Sequence, residues 1–175
     1  MTLFPNCKIN IGLYIERKRE DGFHDIKTLF YPINFNDTIE IEKTDKKNTS
    51  ISIFGIPIEG DTNDNLCLKA YNLLNNDFDL PPVNIILLKR IPTGAGLGGG
   101  SSDAVHTLLL LNEMFELKIS NHQLYSYANK LGSDCAFFIE NKPLLASEKG
   151  STFNEIDFSI KNHYIVLIKP NQSIN

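Results

Sequence analysis

The centre of the chain reads Pro92-Thr93-Gly94-Ala95-Gly96-Leu97-Gly98-Gly99-Gly100-Ser101-Ser102-Asp103-Ala104, between an apolar run and a segment with helical periodicity. Five glycines fall within the seven residues 94–100. A glycine inside a helix or strand costs about 1 kcal/mol, so this density indicates a specialised loop. Glycine reaches backbone angles that other residues avoid and lets amide groups approach a ligand closely. The stretch therefore predicts a loop that wraps phosphate oxygens.

The segment behind the glycines has the period of a helix, with Ala104, Leu108, Leu111 and Phe115 on one stripe. The first amide groups of a helix lack partners within the helix and carry the positive end of its dipole. A helix that begins directly after the glycines would add its own anion site to the loop.

Two common nucleotide-binding motifs differ from this loop. No glycine is followed by Lys and Ser or Thr, as the Walker A motif requires. Gly94-x-Gly96-x-x-Gly99 matches the dinucleotide-binding fingerprint, but no acidic residue ends a second strand about 20 residues later. A dinucleotide-binding oxidoreductase and a merely flexible turn are therefore weaker alternatives.

The regions around the loop alternate between strand and helix signals. Residues 8–15 have period two, which predicts a half-buried strand with Lys8 and Asn10 on its polar face. Further strands are predicted at 28–35, 38–42, 50–54, 83–88 and 164–168, the early ones antiparallel to each other. Helices are predicted from Asp64, as N-cap, to about residue 77, and from Ser120, whose capping box includes Gln123, to Gly132.

Composition limits the class of protein. The 175 residues, 42% hydrophobic and 22% charged, suit one folded domain. A net charge of −4 argues against nucleic acid or an anionic membrane as partner, because both need a basic surface. No export signal and no apolar run of about 18 residues occurs, so we expect a cytoplasmic protein. The cysteines Cys7, Cys67 and Cys135 are far apart and are expected to be buried free thiols.

Three segments together carry a resemblance to a known family. The loop at 92–104 resembles the phosphate loop of the GHMP kinases, whose form is Pro-x-x-Ala/Gly-x-Leu-x-x-Ser-Ser/Ala. Lys8-Ile9-Asn10, followed by Arg19-Glu20-Asp21-Gly22-Phe23-His24, is similar to a second segment of that family. Leu131-Gly132-Ser133-Asp134-Cys135-Ala136-Phe137-Phe138 is similar to a third. The likeness spans nearly the whole chain.

The resemblance implies an α+β fold, the GHMP-kinase N-terminal domain (ribosomal protein S5 domain 2-like), with a mixed sheet backed by helices. It implies that residues 1–160 form the ATP-binding domain. Members of the family are substantially longer, so residues 161–175 are expected to begin a C-terminal ferredoxin-like domain that is missing.

The resemblance also implies transfer of a phosphoryl group from ATP, with Mg²⁺, to a hydroxyl of a small-molecule substrate. Lys8 and Asp134 would be the catalytic residues. Binding of a cytidine diphosphate group is implied for Asn10, Phe23 and His24. ATP binding is implied for Pro92, Gly94, Ala95, Gly96, Leu97, Gly98, Gly99, Gly100, Ser101 and Ser102 in the loop, and for Asn65 and Lys89 near the adenine.

Several alternatives stay open at this point. Asp134 could cap a helix that starts at Cys135, Lys8 could be a solvated lysine, and Asn65 could belong to a helix cap. A non-catalytic nucleotide-binding fragment, or another GHMP kinase such as a homoserine or mevalonate kinase, is an alternative function. No residue is assigned as a metal ligand, and a homodimer is an open alternative to a monomer.

Overall fold

The computed structural model describes residues 1–20, 22 and 24–170. Within them the chain forms eight strands and four α-helices. The strands are β1 (Thr2–Leu3), β2 (Asn6–Lys18), β3 (His24–Asn36), β4 (Thr38–Lys43), β5 (Ser50–Gly55), β6 (Val83–Lys89), β7 (Leu144–Ser147) and β8 (Thr152–Glu155). The helices are α1 (Leu66–Phe78), α2 (Gly99–Met114), α3 (Asn121–Leu131) and α4 (Phe137–Glu140).

The first sheet has the strand order β1-β4-β6-β5 and is mixed. β5 pairs with β6 in parallel, whereas β4 pairs with β1 and with β6 in antiparallel fashion. The prediction of an antiparallel set is therefore wrong for β5. Its connection to β6 runs through α1, and a crossover of this kind returns the chain to a parallel neighbour.

The second sheet is antiparallel, with the order β2-β3-β7-β8. The predicted strand at 8–15 is part of β2, but its predicted alternation ends at Gly12. Gly12 has a φ of +68°, and the pairing with β3 shifts register between Ile11 and Leu13. Beyond Gly12 both faces of β2 are exposed: Leu13 and Ile15, on the predicted apolar face, are 57% and 59% exposed, and Tyr14 on the other face is 73% exposed. This end of β2 therefore lies outside the core, and its alternation buries no apolar face.

The main core lies between the first sheet and the helices. Ile39 and Ile41 of β4 and Ile85 of β6 pack in one buried cluster with residues of α1, α2 and α3. α2 also supplies Val105 to a second cluster, which contains Phe30 of β3. α2 is thus a central helix shared by two cores, and the predicted combination of a mixed sheet with helices is confirmed.

The helix boundaries follow the local sequence closely. α1 is capped by Asn65, whose side chain accepts a hydrogen bond from the amide of Cys67, so the prediction of Asp64 as cap is wrong by one residue. α3 has the predicted capping box between Ser120 and Gln123. α2 begins at Gly99, inside the glycine run.

The expectation about the cysteines is confirmed, and that about a strand at 164–168 is not. Cys7, Cys67 and Cys135 are free and buried, as predicted. The strand predicted at 164–168 is wrong: no strand among residues 1–20, 22 and 24–170 pairs with it, and Tyr164, Val166 and Ile168 are exposed. In the described part of the chain no helix is both long enough and apolar enough to span a bilayer.

Candidate active site

Lys8 and Asp134 form an ion pair although 126 positions separate them in the sequence. The Lys8 ammonium lies 3.2 Å from Oδ2 of Asp134. The Lys8 side chain is 5% exposed and the Asp134 side chain 31% exposed, so the carboxylate is the more accessible partner. The alternative that Lys8 is a solvated lysine is wrong. Asp134 does not cap α4, because the N-cap position is Ala136 and makes no side-chain hydrogen bond.

Two further groups hold the Lys8 ammonium in place. It donates a hydrogen bond of 2.7 Å to Oδ1 of Asn10, two residues along the same strand. It also lies 4.5 Å from the centre of the Phe30 ring, a cation–π arrangement. The pairing of residues two apart on a strand confirms that Lys8 and Asn10 share a face.

The glycine loop is attached directly to the strand that carries Lys8. The backbone amide of Lys8 donates to the carbonyl oxygen of Leu97 at 2.9 Å. Gly94, Gly96 and Gly98 have φ values of +65°, +70° and +68°, a region that costs residues with a Cβ about 1–2 kcal/mol. A Cβ on Gly98 would also lie 3.2 Å from Cγ of Lys8. The loop therefore reaches the ion pair only with glycine at this position.

The loop ends at the N-terminus of α2, which offers free backbone donors. Gly98 is the N-cap residue and makes no side-chain cap hydrogen bond. The amide of Ser102 donates to the carbonyl oxygen of Gly98 at 2.9 Å, the first hydrogen bond of the helix. The amides of Gly99, Gly100 and Ser101 come before it and therefore have no partner within the helix. Such amides, together with the helix dipole, form an anion site. A phosphate group fits this arrangement.

The two candidate serines have different surroundings. The Ser102 side chain is fully buried, and its hydroxyl lies 3.3 Å from Nδ1 of His106. Burial raises the pKa of the Cys135 thiol, next to Asp134 in the chain, to about 11, and the nearby Ser101 hydroxyl opposes the rise. Whether either serine contacts a phosphate or Mg²⁺ stays a prediction.

Asn65 and Lys89 lie on another side of the loop from the ion pair. They line a cavity of about 170 Å³, together with Thr93, Gly100 and Asp103. The Asn65 side chain is engaged as the cap of α1 through its oxygen, which is the alternative role that the sequence left open. Contact of Asn65 or Lys89 with adenine stays a prediction.

Lys89 belongs to a buried charge cluster that the sequence analysis missed. It follows Val83, Ile85 and Leu87 on the inward face of β6, and this period-two signal could have shown that it is buried. Its ammonium is bonded to Asp37 and, at 2.8 Å, to Asp103. Burial by itself would lower the pKa of Lys89, but the carboxylates of Asp103 and Asp37 outweigh it, and the pKa is raised.

Burial raises the pKa of Asp103 to about 7; the neighbouring Asp37 carboxylate adds to the rise, and the Lys89 ammonium opposes it. Since the unfolded value is about 4, the folded protein holds an additional proton between about pH 4 and about pH 7. The stability that this proton contributes is fully present below the unfolded pKa and is lost as pH rises through the folded pKa.

We therefore expect Asp103→Asn to remove a pH dependence of stability. From about pH 5 to about pH 8, the free energy of unfolding of the wild type should fall relative to that of the variant, by on the order of 2 kcal/mol. Urea unfolding at several pH values measures the difference. A difference that stays constant over this range would contradict the assignment.

Of the predicted cytidine-binding residues, the structure describes Asn10 and His24 and places them far apart on the hairpin. His24 pairs with Lys18 at the far end of the β2–β3 hairpin, whereas Asn10 pairs with Phe30. Six residues along β3 separate His24 from Phe30, a distance of about 20 Å at the usual rise of a strand. Phe23 lies outside the described residues.

The fold and this site define a class of protein. Residues 65–142 match the sequence model described as GHMP kinases N terminal domain. The chain carries a GHMP kinase N-terminal domain, and the family that the motifs suggested is confirmed. The alternative of a dinucleotide-binding fold is wrong, because the strand before the loop lies in a mixed sheet and not in a doubly wound parallel one.

The chain is similar to particular kinases within this class. A 4-diphosphocytidyl-2-C-methyl-D-erythritol kinase of Bacteroides fragilis is 49% identical over 172 residues, which are 97% of this chain and 63% of the relative. A crystal structure of 4-(cytidine 5'-diphospho)-2C-methyl-D-erythritol kinase has a TM-score of 0.75 at 32% identity and covers 89% of this chain and 55% of that chain. The chain thus spans less than two thirds of the length of either protein.

A third comparison concerns the fold alone. The mevalonate kinase of Methanococcus jannaschii has a TM-score of 0.68 at 14% identity, over 90% of this chain and 56% of that chain. Kinases with different small-molecule substrates therefore share the arrangement of strands and helices described here, and the side chains of the site must decide the substrate.

Proposed function

We propose that this chain carries the site for ATP-dependent phosphorylation of the 2-hydroxyl of 4-diphosphocytidyl-2-C-methyl-D-erythritol, a step of non-mevalonate isoprenoid synthesis. The observation that supports it most is the ion pair of Lys8 and Asp134, placed beside a glycine loop that leads into the N-terminus of α2. The names of the similar proteins support the substrate.

The phosphates of ATP bind at the loop and at the first amides of α2. The backbone donors there are fixed before the nucleotide arrives, which reduces the reorganisation that binding requires. Mg²⁺ bound together with the nucleotide would supply neutralisation of charge on the phosphate oxygens. Ser101 or Ser102 is the candidate for contact with a phosphate or with this ion.

The chemical step needs a group that receives a proton and a group that balances charge. The substrate oxygen attacks the γ-phosphorus while the bond between that phosphorus and the β–γ bridging oxygen breaks, and ADP leaves. The proton of the hydroxyl passes to the carboxylate of Asp134, which is the partly exposed member of the pair. The Lys8 ammonium, 3.2 Å from Oδ2 of Asp134, balances the negative charge of that carboxylate and steadies the transferring phosphate.

The proposed roles of Asp134 and His24, taken together, imply an elongated acceptor. A hydroxyl beside Asp134 and a cytidine group near His24 require a substrate that spans about 20 Å of strand. A nucleoside diphosphate linked to a four-carbon chain is of this elongated kind, and mevalonate and homoserine are much shorter. Recognition of the base by Phe23 and His24 remains part of the proposal.

The test is release of ADP from ATP and Mg²⁺ with 4-diphosphocytidyl-2-C-methyl-D-erythritol, mevalonate or homoserine as acceptor. We expect turnover with the diphosphocytidyl acceptor alone. Turnover with one of the short acceptors would overturn the proposed substrate. Calorimetric binding of ATP without turnover of any acceptor would instead support the non-catalytic nucleotide-binding fragment as the description of this chain.

A further inference from the structure

Three charged side chains lie buried beneath the glycine loop, outside the pair assigned to catalysis. Asp37, Lys89 and Asp103 are 0%, 1% and 2% exposed. Asp37 lies between β3 and β4, Lys89 is the last residue of β6, and Asp103 is in the second turn of α2. We call these three residues the loop-base cluster. It joins three elements that are separate in the sequence.

The hydrogen bonds of the loop-base cluster reach both ends of the glycine loop. The Lys89 ammonium is bonded to Oδ2 of Asp37 and to Oδ2 of Asp103. The other oxygen of Asp37 accepts from the backbone amides of Arg90 at 2.5 Å and Ile91 at 2.8 Å. Arg90 and Ile91 lead into the loop, and Asp103 follows it. The cluster therefore links the start of the loop to its end.

Gly99, the first residue of α2, packs directly against Lys89 of this cluster. A Cβ on Gly99 would lie 3.1 Å from the Lys89 ammonium nitrogen and 2.8 Å from Cγ2 of Ile91. Contacts below 3.0 Å are essentially never made by real Cβ atoms. Ile91 and Lys89 together limit how closely the backbone of α2 approaches the end of β6.

The energetics of the loop-base cluster do not favour it as a device for stability. Two carboxylates share one ammonium in a buried site, and Oδ1 of Asp103 is buried without a hydrogen-bond partner among the described residues. Buried ion pairs are often no more stabilising than apolar residues of similar size, and an unpaired polar atom is costly. The cluster instead fixes the relative positions of the three elements that carry it, because a charged hydrogen-bond network sets distances and angles that apolar packing leaves free.

We propose that Lys89 is a positioning residue for the phosphate loop. Through Asp37 and Asp103 it fixes the start of the loop relative to the first turns of α2, so that the free amides there point at one phosphate site. Lys89 makes no contact with the nucleotide in this assignment, in contrast to the adenine contact that the family resemblance implies. The inference rests on the proposed function only in taking a nucleotide phosphate as the ligand of the loop.

The test compares Lys89→Met with the wild-type chain by amide hydrogen exchange and by calorimetric binding of ADP. We expect exchange in residues 93–101 to become roughly tenfold faster or more, while α3 keeps its protection, because only the local opening free energy changes. ADP affinity should fall by about tenfold or more. Lys142→Met is the matched control, since Lys142 also bridges two carboxylates, Glu140 and Glu155, but at the surface.

Two substitutions of Asp103 decide the question if Lys89→Met does not fold. Asp103→Leu removes the acceptor on α2 and leaves Lys89 paired with Asp37, so no uncompensated charge remains in the core. It should accelerate exchange in residues 93–101. Asp103→Asn keeps an acceptor oxygen for Lys89 and should restore the protection of these residues, which a merely space-filling role would not predict.

The outcomes separate this inference from the proposed function. Faster exchange in α3 to the same degree as in the loop, or no change in the loop for either Lys89→Met or Asp103→Leu, would overturn the positioning role. Normal loop protection in Lys89→Met together with lost ADP binding would show direct contact and also overturn it. A wild-type chain that binds no ADP would overturn the proposed function, and hydrogen exchange would still decide the role of Lys89.

Discussion

Asp134→Asn is expected to lower the rate of phosphoryl transfer by about 10²–10⁴-fold, the range typical of a lost general base. Asn keeps the size of the side chain and an oxygen that can accept from Lys8, so the packing around the ion pair should survive. Nucleotide binding depends on the loop and α2, and the affinity for ADP should change by less than about threefold. Steady-state ADP release and calorimetry measure the two quantities on the same preparation.

The control for this substitution is Glu155→Gln, which removes the carboxylate of an ion pair at the surface. Glu155 is 82% exposed in its side chain, so this change should affect neither quantity. If Asp134→Asn turned over at a rate close to that of the wild type, Asp134 would not be the group that takes the proton. A loss of ADP binding in Asp134→Asn would point instead to a role in holding the nucleotide.

Gly98→Ala should weaken binding of ATP by roughly tenfold or more. The new Cβ would lie 3.0 and 3.1 Å from ring atoms of Phe138 and 3.2 Å from Cγ of Lys8. Phe138 is buried and cannot move freely, so the loop must shift away from the Lys8–Asp134 pair. The positive φ of Gly98 adds strain of about 1–2 kcal/mol. Isothermal titration with a non-hydrolysable ATP analogue measures the effect.

Gly94→Ala separates the steric part of this effect from the conformational part. Gly94 has nearly the same φ, +65°, but a Cβ there would meet nothing within 4 Å. It should therefore show the cost of strain without the clash, and its loss of affinity should be clearly smaller. Equal losses in the two variants would mean that the contact with Phe138 and Lys8 has no part in shaping the phosphate site.

The parts of the fold that the sequence predicted well are those with local causes. The capping box of Ser120 and Gln123 and the glycine loop with its following helix depend on residues close together in the chain. The pairing of Lys8 with Asp134 is different. Nothing in the composition or the periodicity brings these two residues together, and only the resemblance of their two motifs to one family suggested it.

The errors arose where tertiary contacts override the local pattern. The part of β2 beyond Gly12 lies outside the core, where alternation buries no apolar face, and the parallel pairing of β5 depends on the path of α1. The adenine contact that the family resemblance implied for Lys89 stays a prediction, but its burial at the fourth inward position of β6 was a period-two signal that was not used. Its partners Asp37 and Asp103 come from distant segments, so their charges gave no local signal.

The hydrogen bond between the amide of Lys8 and the carbonyl of Leu97 has a mechanical consequence. β2 and the loop are hydrogen-bonded to each other at Lys8, and the Lys8 side chain is ion-paired with Asp134. Because the loop amides are fixed before a nucleotide binds, this bond also fixes the distance from the proposed phosphate site to the ammonium and, through the ion pair, to the proposed base Asp134. The proposed donor and acceptor sites therefore share one frame, so their spacing is a property of the fold and not of the substrates.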